Sequence, residues 1–167
     1  MSKHTVWVVS FLEQKSVHFT FTEWPNHITI VPHFQTTDLE KLMNNIQTAC
    51  TRTHNIPYQV SSINYFGKEK NVKVSEVILS DALAGLHTSI LSVALNGDKN
   101  MDTKFCYQNY KPHITHNNQP YPQENDLGII RTIYLIEKLS PLVEEKQIVE
   151  VINLLPQDFR MSSSFSL

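Results

Sequence analysis

Glycine is scarce in this chain: 167 residues include only four. They build neither a Gly-rich phosphate-cradling loop nor the Gly-x-Gly-x-x-Gly fingerprint of dinucleotide binding, so those two modes of nucleotide handling are excluded. The two cysteines, Cys50 and Cys106, stand far apart, which rules out a Cys-x-x-Cys pair or a zinc-site spacing. Cys50 falls on the apolar stripe of a predicted helix and reads as a buried reduced thiol, in keeping with a cytoplasmic location. Carboxylates do not gather into the clusters that a two-metal nuclease uses. The apolar run Val6 to Leu12 is too short to span a membrane and lacks the layout of a secretory signal. Charge of one sign is missing too: the net charge is −2 and no Lys/Arg block is present. Long-duplex nucleic acid calls for a dense basic surface, so it is not an expected partner, and neither is a membrane. A small nucleotide or short RNA end held in a cleft is still compatible with this composition, and a monomer is expected.

Histidine is the residue in surplus, with eight copies, and its arrangement carries the information. His27-Ile28-Thr29-Ile30 is echoed in the other half of the chain by His113-Ile114-Thr115-His116. Each copy has a proline close upstream, Pro25 and Pro112, and each reads as a β-strand. On a strand, residues i and i+2 share a face. Each copy therefore presents one imidazole and one hydroxyl together and turns the central isoleucine into a core. A third His-x-Thr, His18-Phe19-Thr20, lacks the central isoleucine and the proline, and reads as a surface pair. Context, rather than a count of matches, singles out the copies at His27 and His113.

The remaining pattern supplies the frame. Strands are predicted at Thr5 to Leu12, Val17 to Thr22, His27 to Phe34, Tyr58 to Phe66, Val72 to Leu79, Pro112 to His116, Ile129 to Ile136 and Gln147 to Leu155. Thr37-Asp38-Leu39-Glu40 is a capping-box pattern. It opens a helix with Leu39, Leu42, Met43, Ile46, Ala49 and Cys50 on one stripe. A second helix, capped by Asp81, has Leu83, Leu86, His87, Ile90, Leu91 and Ala94 on its stripe and stops at Asn96-Gly97. The order β-β-β-α-β-β-α-β-β-β has one helix and one motif strand in each half. The predicted class is α+β, with two pseudo-symmetric lobes, each a mainly antiparallel sheet with a packed helix, and a cleft between them. One bilobal domain is expected over residues 1–160, with a flexible Ser-rich tail at 161–167.

With its paired His-x-Thr-x motifs the chain resembles the 2H phosphoesterase superfamily, which includes 2′-5′ RNA ligase-like and cyclic phosphodiesterase proteins. Phe66-Gly67, Leu86-His87 and the closing strands from Gly128 to Leu155 extend the resemblance over most of residues 5–155. One departure is His116, which stands where the family has an apolar residue; strand parity turns it away from the cleft. The resemblance implies substrates that involve a ribose 2′ position: 2′,3′-cyclic phosphates, 2′-5′ linked oligonucleotides or cyclic nucleotides.

Two imidazoles, one neutral and one protonated, can deprotonate a nucleophile and protonate a departing alkoxide near neutral pH. Thr29 and Thr115 can donate to the non-bridging phosphate oxygens as charge builds on them. The expected catalytic set is therefore His27, Thr29, His113 and Thr115, with no metal and no cofactor required. Either histidine could serve as acid or base. Lys111 shares strand parity with His113 and is a candidate phosphate contact, while Tyr110 and Phe66 are candidates to stack on a base. His33 is a candidate for the cleft rim and His87 for a core histidine with one hydrogen bond. A non-catalytic nucleotide or RNA binder, or an RNA 2′-5′ end ligase, is the alternative.

Overall fold

The computed structural model describes residues 2–157, so the predicted tail at 161–167 and the predicted domain end at 160 lie outside the described residues. The elements run β1 (His4–Phe11), β2 (Thr20–Phe21), β3 (His27–Thr36), α1 (Leu39–Cys50), β4 (Ile56–Phe66), β5 (Val72–Val77) and α2 (Asp81–Gly97). A 3-10 turn (Tyr107–Asn109), β6 (His113–Thr115), β7 (Leu127–Ile130), β8 (Thr132–Lys138) and β9 (Lys146–Asn153) complete the chain. The strand order is β2-β9-β8-β1-β3-β6-β5-β4-β7, and every neighbouring pair is antiparallel. The predicted α+β class with a mainly antiparallel sheet and two helices is what the chain adopts.

The helices form where the 3.6-residue stripe demands them. Leu42, Ile46 and Cys50 of α1 and Leu83, Leu86, Ile90, Leu91 and Ala94 of α2 all sink into one core. The caps lie one residue from those predicted. Asp38, not Thr37, closes α1 by accepting from Lys41 N–H at 3.0 Å, and Ser80, not Asp81, closes α2 by accepting from Leu83 N–H at 3.2 Å. Asp81 then stands in the first turn, where a carboxylate suits the helix dipole. The helices do not keep to separate halves: α2 packs on α1 and on β3 of the first half.

The strand predicted at Ile129 to Ile136 is two strands rather than one. β7 pairs with β4, whereas β8 pairs with β1 and β9. Only Arg131 separates them, so the Cα atoms of residues 130 and 132 are at most about 7.6 Å apart. In the strand order five strands intervene, which laid flat would span about 29 Å at ~4.8 Å per spacing. The sheet must therefore curl until β7 comes close to β8. Hydrogen bonds stitch the closure: Leu154 N–H donates to Arg131 O at 2.9 Å, and Asn55 N–H to Leu155 O at 2.7 Å. Gly128 makes the β4–β7 contact feasible, because a Cβ there would meet the Tyr58 ring at 2.2 Å.

The curl gives the sheet two environments. One face, with Val6, Val8, Ile28, Ile30, Ile114 and Ile133, packs on the helices. The other face carries a smaller cluster of Val9, Phe11, Phe21, Tyr134, Ile136 and Ile148, with Trp7 and Trp24 against it.

Candidate active site

Both motif strands sit at the centre of the sheet, side by side, with Ile28 opposite Ile114. Antiparallel register then sets His27 across from Thr115 and Thr29 across from His113. The two isoleucines are fully buried in the main core, so all four polar side chains emerge on the opposite face. They form a square, with like residues on its diagonals. The adjoining registers extend it into two rows. One runs Ser62, Glu76, His113, Thr29, Val9; the other runs Asn64, Val74, Thr115, His27, Phe11.

Both imidazoles are held in the same way. His27 Nδ1 lies 2.8 Å from Pro25 O, and His113 Nδ1 lies 2.7 Å from Lys111 O. A carbonyl can only accept, so Nδ1 carries the proton and Nε2 is left with its lone pair. The upstream prolines contribute locally: Pro25 supplies the first carbonyl, and Pro112 favours the extended conformation of Lys111, which supplies the second. Among the described residues, neither Nε2 nor the hydroxyls of Thr29 and Thr115 hydrogen-bond to protein.

The surroundings of the two histidines differ. Trp24 lies against His27 with ring centroids 4.5 Å apart, and Phe11 meets its edge at 6.2 Å. Burial pushes the His27 pKa down from 6.5 to about 4; the charge of His113 adds to this, and the bond to Pro25 O partly opposes it. His27 is thus a neutral imidazole near pH 7. His113 is met edge-on by Phe66 at 4.9 Å and has Glu76 across the strand.

Residues 10–139, which contain both motifs, match the model of the 2′-5′ RNA ligase superfamily. The chain belongs to this superfamily. It is therefore a 2H phosphoesterase-type protein. Its fold is similar to that of Escherichia coli LigT bound to NADP+, with a TM-score of 0.60, 12% identity, and 93% of this chain and 99% of that one covered. TT0787 of Thermus thermophilus (TM-score 0.59, 12% identity, 92% and 100% covered) and a protein described as a phosphoesterase (0.60, 11%, 92% and 99%) are similar in the same degree. LigT has the same fold likeness in its complex with 3′-AMP, at a TM-score of 0.59 and 11% identity. No curated protein matches the sequence.

Within this superfamily frame the lesser candidates separate. Lys111 is exposed, and among the described residues its ammonium has no carboxylate within ion-pair distance. Phe66 is half-buried and packs on His113. Tyr110, expected to face a base, is buried instead. It is 7% exposed, stacked on His87, and its hydroxyl donates to Thr29 O at 2.7 Å, so its ring is not free to stack on a base. His33 is exposed near Trp7. His18 lies outside any strand with a positive φ of 72°. His116 does turn to the other face. Ser75 Oγ donates to Pro122 O at 2.6 Å and so accepts from His116 Nε2–H at 2.7 Å. Tyr121 stacks on the ring, and His116 ties the 116–126 loop to the sheet.

Sequence reasoning missed Trp24 and the polar cluster of Ser62, Asn64 and Glu76. Glu76 Oε2 accepts from Ser62 Oγ at 3.1 Å and from Asn64 Nδ2 at 3.4 Å. Alternation within β4 was a signal for Ser62 and Asn64, but only cross-strand register brings Glu76 beside His113. Among the described residues no group of three or more His, Cys, Asp or Glu side chains is placed to hold a metal, and no helix is long and apolar enough to cross a membrane.

Proposed function

We propose that this chain is a phosphodiesterase that cleaves a 2′,3′-cyclic phosphate, 2′-5′ linked or cyclic oligonucleotide with His27, Thr29, His113 and Thr115. The observation that supports the reading is the register of Ile28 on Ile114, which sets two imidazoles and two hydroxyls, without protein hydrogen bonds among the described residues, on one face of adjacent strands. The complexes of LigT with 3′-AMP and ATP support a nucleotide as the ligand class.

The unequal surroundings divide the labour. His27, neutral because it is buried, offers the Nε2 lone pair of a general base. With a cyclic phosphate it takes a proton from water, whose oxygen bonds to phosphorus. The bond from phosphorus to one ribose oxygen breaks, and that oxygen takes a proton from Nε2 of a protonated His113. With a 2′-5′ linkage the neighbouring ribose 3′-hydroxyl replaces water and the same protons move. Thr29 and Thr115 donate to the non-bridging oxygens, where charge grows in the transition state. Lys111 reaches the substrate's phosphate from the mouth of the cleft.

The test is a panel of 2′,3′-cyclic mononucleotides, 2′-5′ linked oligonucleotides and cyclic dinucleotides, incubated with EDTA beside His27→Ala and His113→Ala. Turnover that survives EDTA and is lost in both variants is the expected result. Tight binding without turnover on every substrate would identify a binder instead, and turnover abolished by EDTA would overturn the metal-free scheme.

A further inference from the structure

A β-bulge interrupts the first motif strand directly after Thr29. β1 pairs Val9 with Thr29 but Val8 with Val31, so Ile30 is the extra residue and its peptide leaves the ladder. Ile30 and Val31 are both fully buried in the main core, where an unpaired carbonyl is costly. His87 of α2 answers this. Its Nδ1–H donates to Ile30 O at 2.7 Å, and its Nε2 accepts from Tyr107 N–H at 3.1 Å. Burial lowers the His87 pKa against the opposing pull of the Ile30 carbonyl, so the ring stays neutral and serves as donor at one nitrogen and acceptor at the other. Tyr110 stacks on that ring at 3.9 Å and 4° and donates its hydroxyl to Thr29 O at 2.7 Å. Burial raises the Tyr110 pKa, which keeps the hydroxyl a donor.

The two anchored residues, Tyr107 and Tyr110, lie on the segment that runs straight into Pro112 and His113. Tyr110 attaches to β3 at position 29, and Tyr107 is linked through His87 to position 30. The ladder between β3 and β6 consists of the single register pair Ile28–Ile114 and is a narrow joint by itself. We propose that His87 and Tyr110 are positioning residues that clamp the two half-sites together and set the place of Thr29 relative to His113. The proposal deepens the reading of Thr29 and His113 as catalytic and rests on it. His87, an imidazole on an otherwise apolar helix stripe, thereby acquires a role in the chemistry without touching substrate.

Tyr110→Phe tests the clamp, because it removes one hydroxyl and keeps the ring on His87. With the panel member that wild type turns over fastest, kcat is expected to fall about 10-fold at nearly constant KM, the pattern of an interaction needed only in the transition state. In a Thr29→Val background the same change is expected to cost less than it does alone, because the part of the loss that comes from misplacing the Thr29 hydroxyl is already gone. Multiplicative losses in the double variant would overturn the clamp. A fully active Thr29→Val would overturn the site reading beneath it, a distinguishable failure. Should Tyr110→Phe not fold, His87→Asn, which keeps a donor toward Ile30, is compared with His87→Leu. A kcat about 10-fold higher in the Asn variant at equal KM supports positioning; equal kcat overturns it.

Discussion

The two half-sites hold the same chemistry in different settings. Each has a histidine whose Nδ1–H is tied to the carbonyl two residues back, a threonine two residues on, and an isoleucine in the core. The first lies on a ten-residue strand under Trp24 and Phe11. The second lies on a three-residue strand beside Glu76, Phe66 and an exposed Lys111. Local sequence thus makes the two imidazoles equivalent, and only their neighbours make them unequal. An acid–base pair needs that inequality, since two groups with one shared pKa seldom occupy the productive state.

The hardest way to break the comparison is to delete either imidazole. His27→Ala and His113→Ala are each expected to lower kcat/KM on the order of 1,000-fold, measured under identical conditions; a loss confined to one variant would mean that the half-sites do not work as a pair. Ile28→Ala and Ile114→Ala attack the joint itself. Each leaves a cavity in the core and is expected to cost about 2–5 kcal/mol, read from urea unfolding, and a near-neutral Ile114→Ala would mean that the short strand is held by something other than its isoleucine. Thr29→Val and Thr115→Val, compared by kcat, should each lose roughly 100-fold. Equal losses would place the phosphate symmetrically, and unequal ones would show which hydroxyl meets the greater charge.

The pH profile sharpens the contrast further. A base with its pKa lowered to about 4 keeps activity well below pH 6.5, so the acid limb of kcat/KM should fall near pH 4. Trp24→Ala opens His27 to water and should move that limb up toward 6.5. The same shift couples to stability. Between pH 6.5 and about 4 the unfolded chain binds the proton that folded His27 refuses, so stability is complete above 6.5 and declines as pH falls through this window. Calorimetry across it should show a smaller decline in Trp24→Ala. The smallest effect is expected at Lys111→Ala: a rise of about 3-fold in KM that added salt diminishes, as befits one exposed cation.

Much of the fold was legible because periodicity reports burial. The stripes of α1 and α2 and the alternation in β3 and β4 follow from which face meets the core. The strand break at Arg131 was not legible, since apolar residues continue on both sides of it and the pairing partners, β4 and β1, are distant in sequence. Tyr110 was misread for a related reason. An aromatic next to a motif reads equally well as a rim or a core residue, and its contact with Thr29 crosses from one half of the chain to the other.

The sequence by itself determined the two His-Thr pairs and their facing. The i, i+2 spacing puts His27 with Thr29 and His113 with Thr115 whatever the rest of the chain does, because strand geometry is local. Only the tertiary structure decided the rest: that the two strands are neighbours with Ile28 on Ile114, that Trp24 dries one imidazole, and that a buried histidine and tyrosine span both halves. Those are contacts between residues far apart along the chain. They exist only once a common core has drawn the strands together.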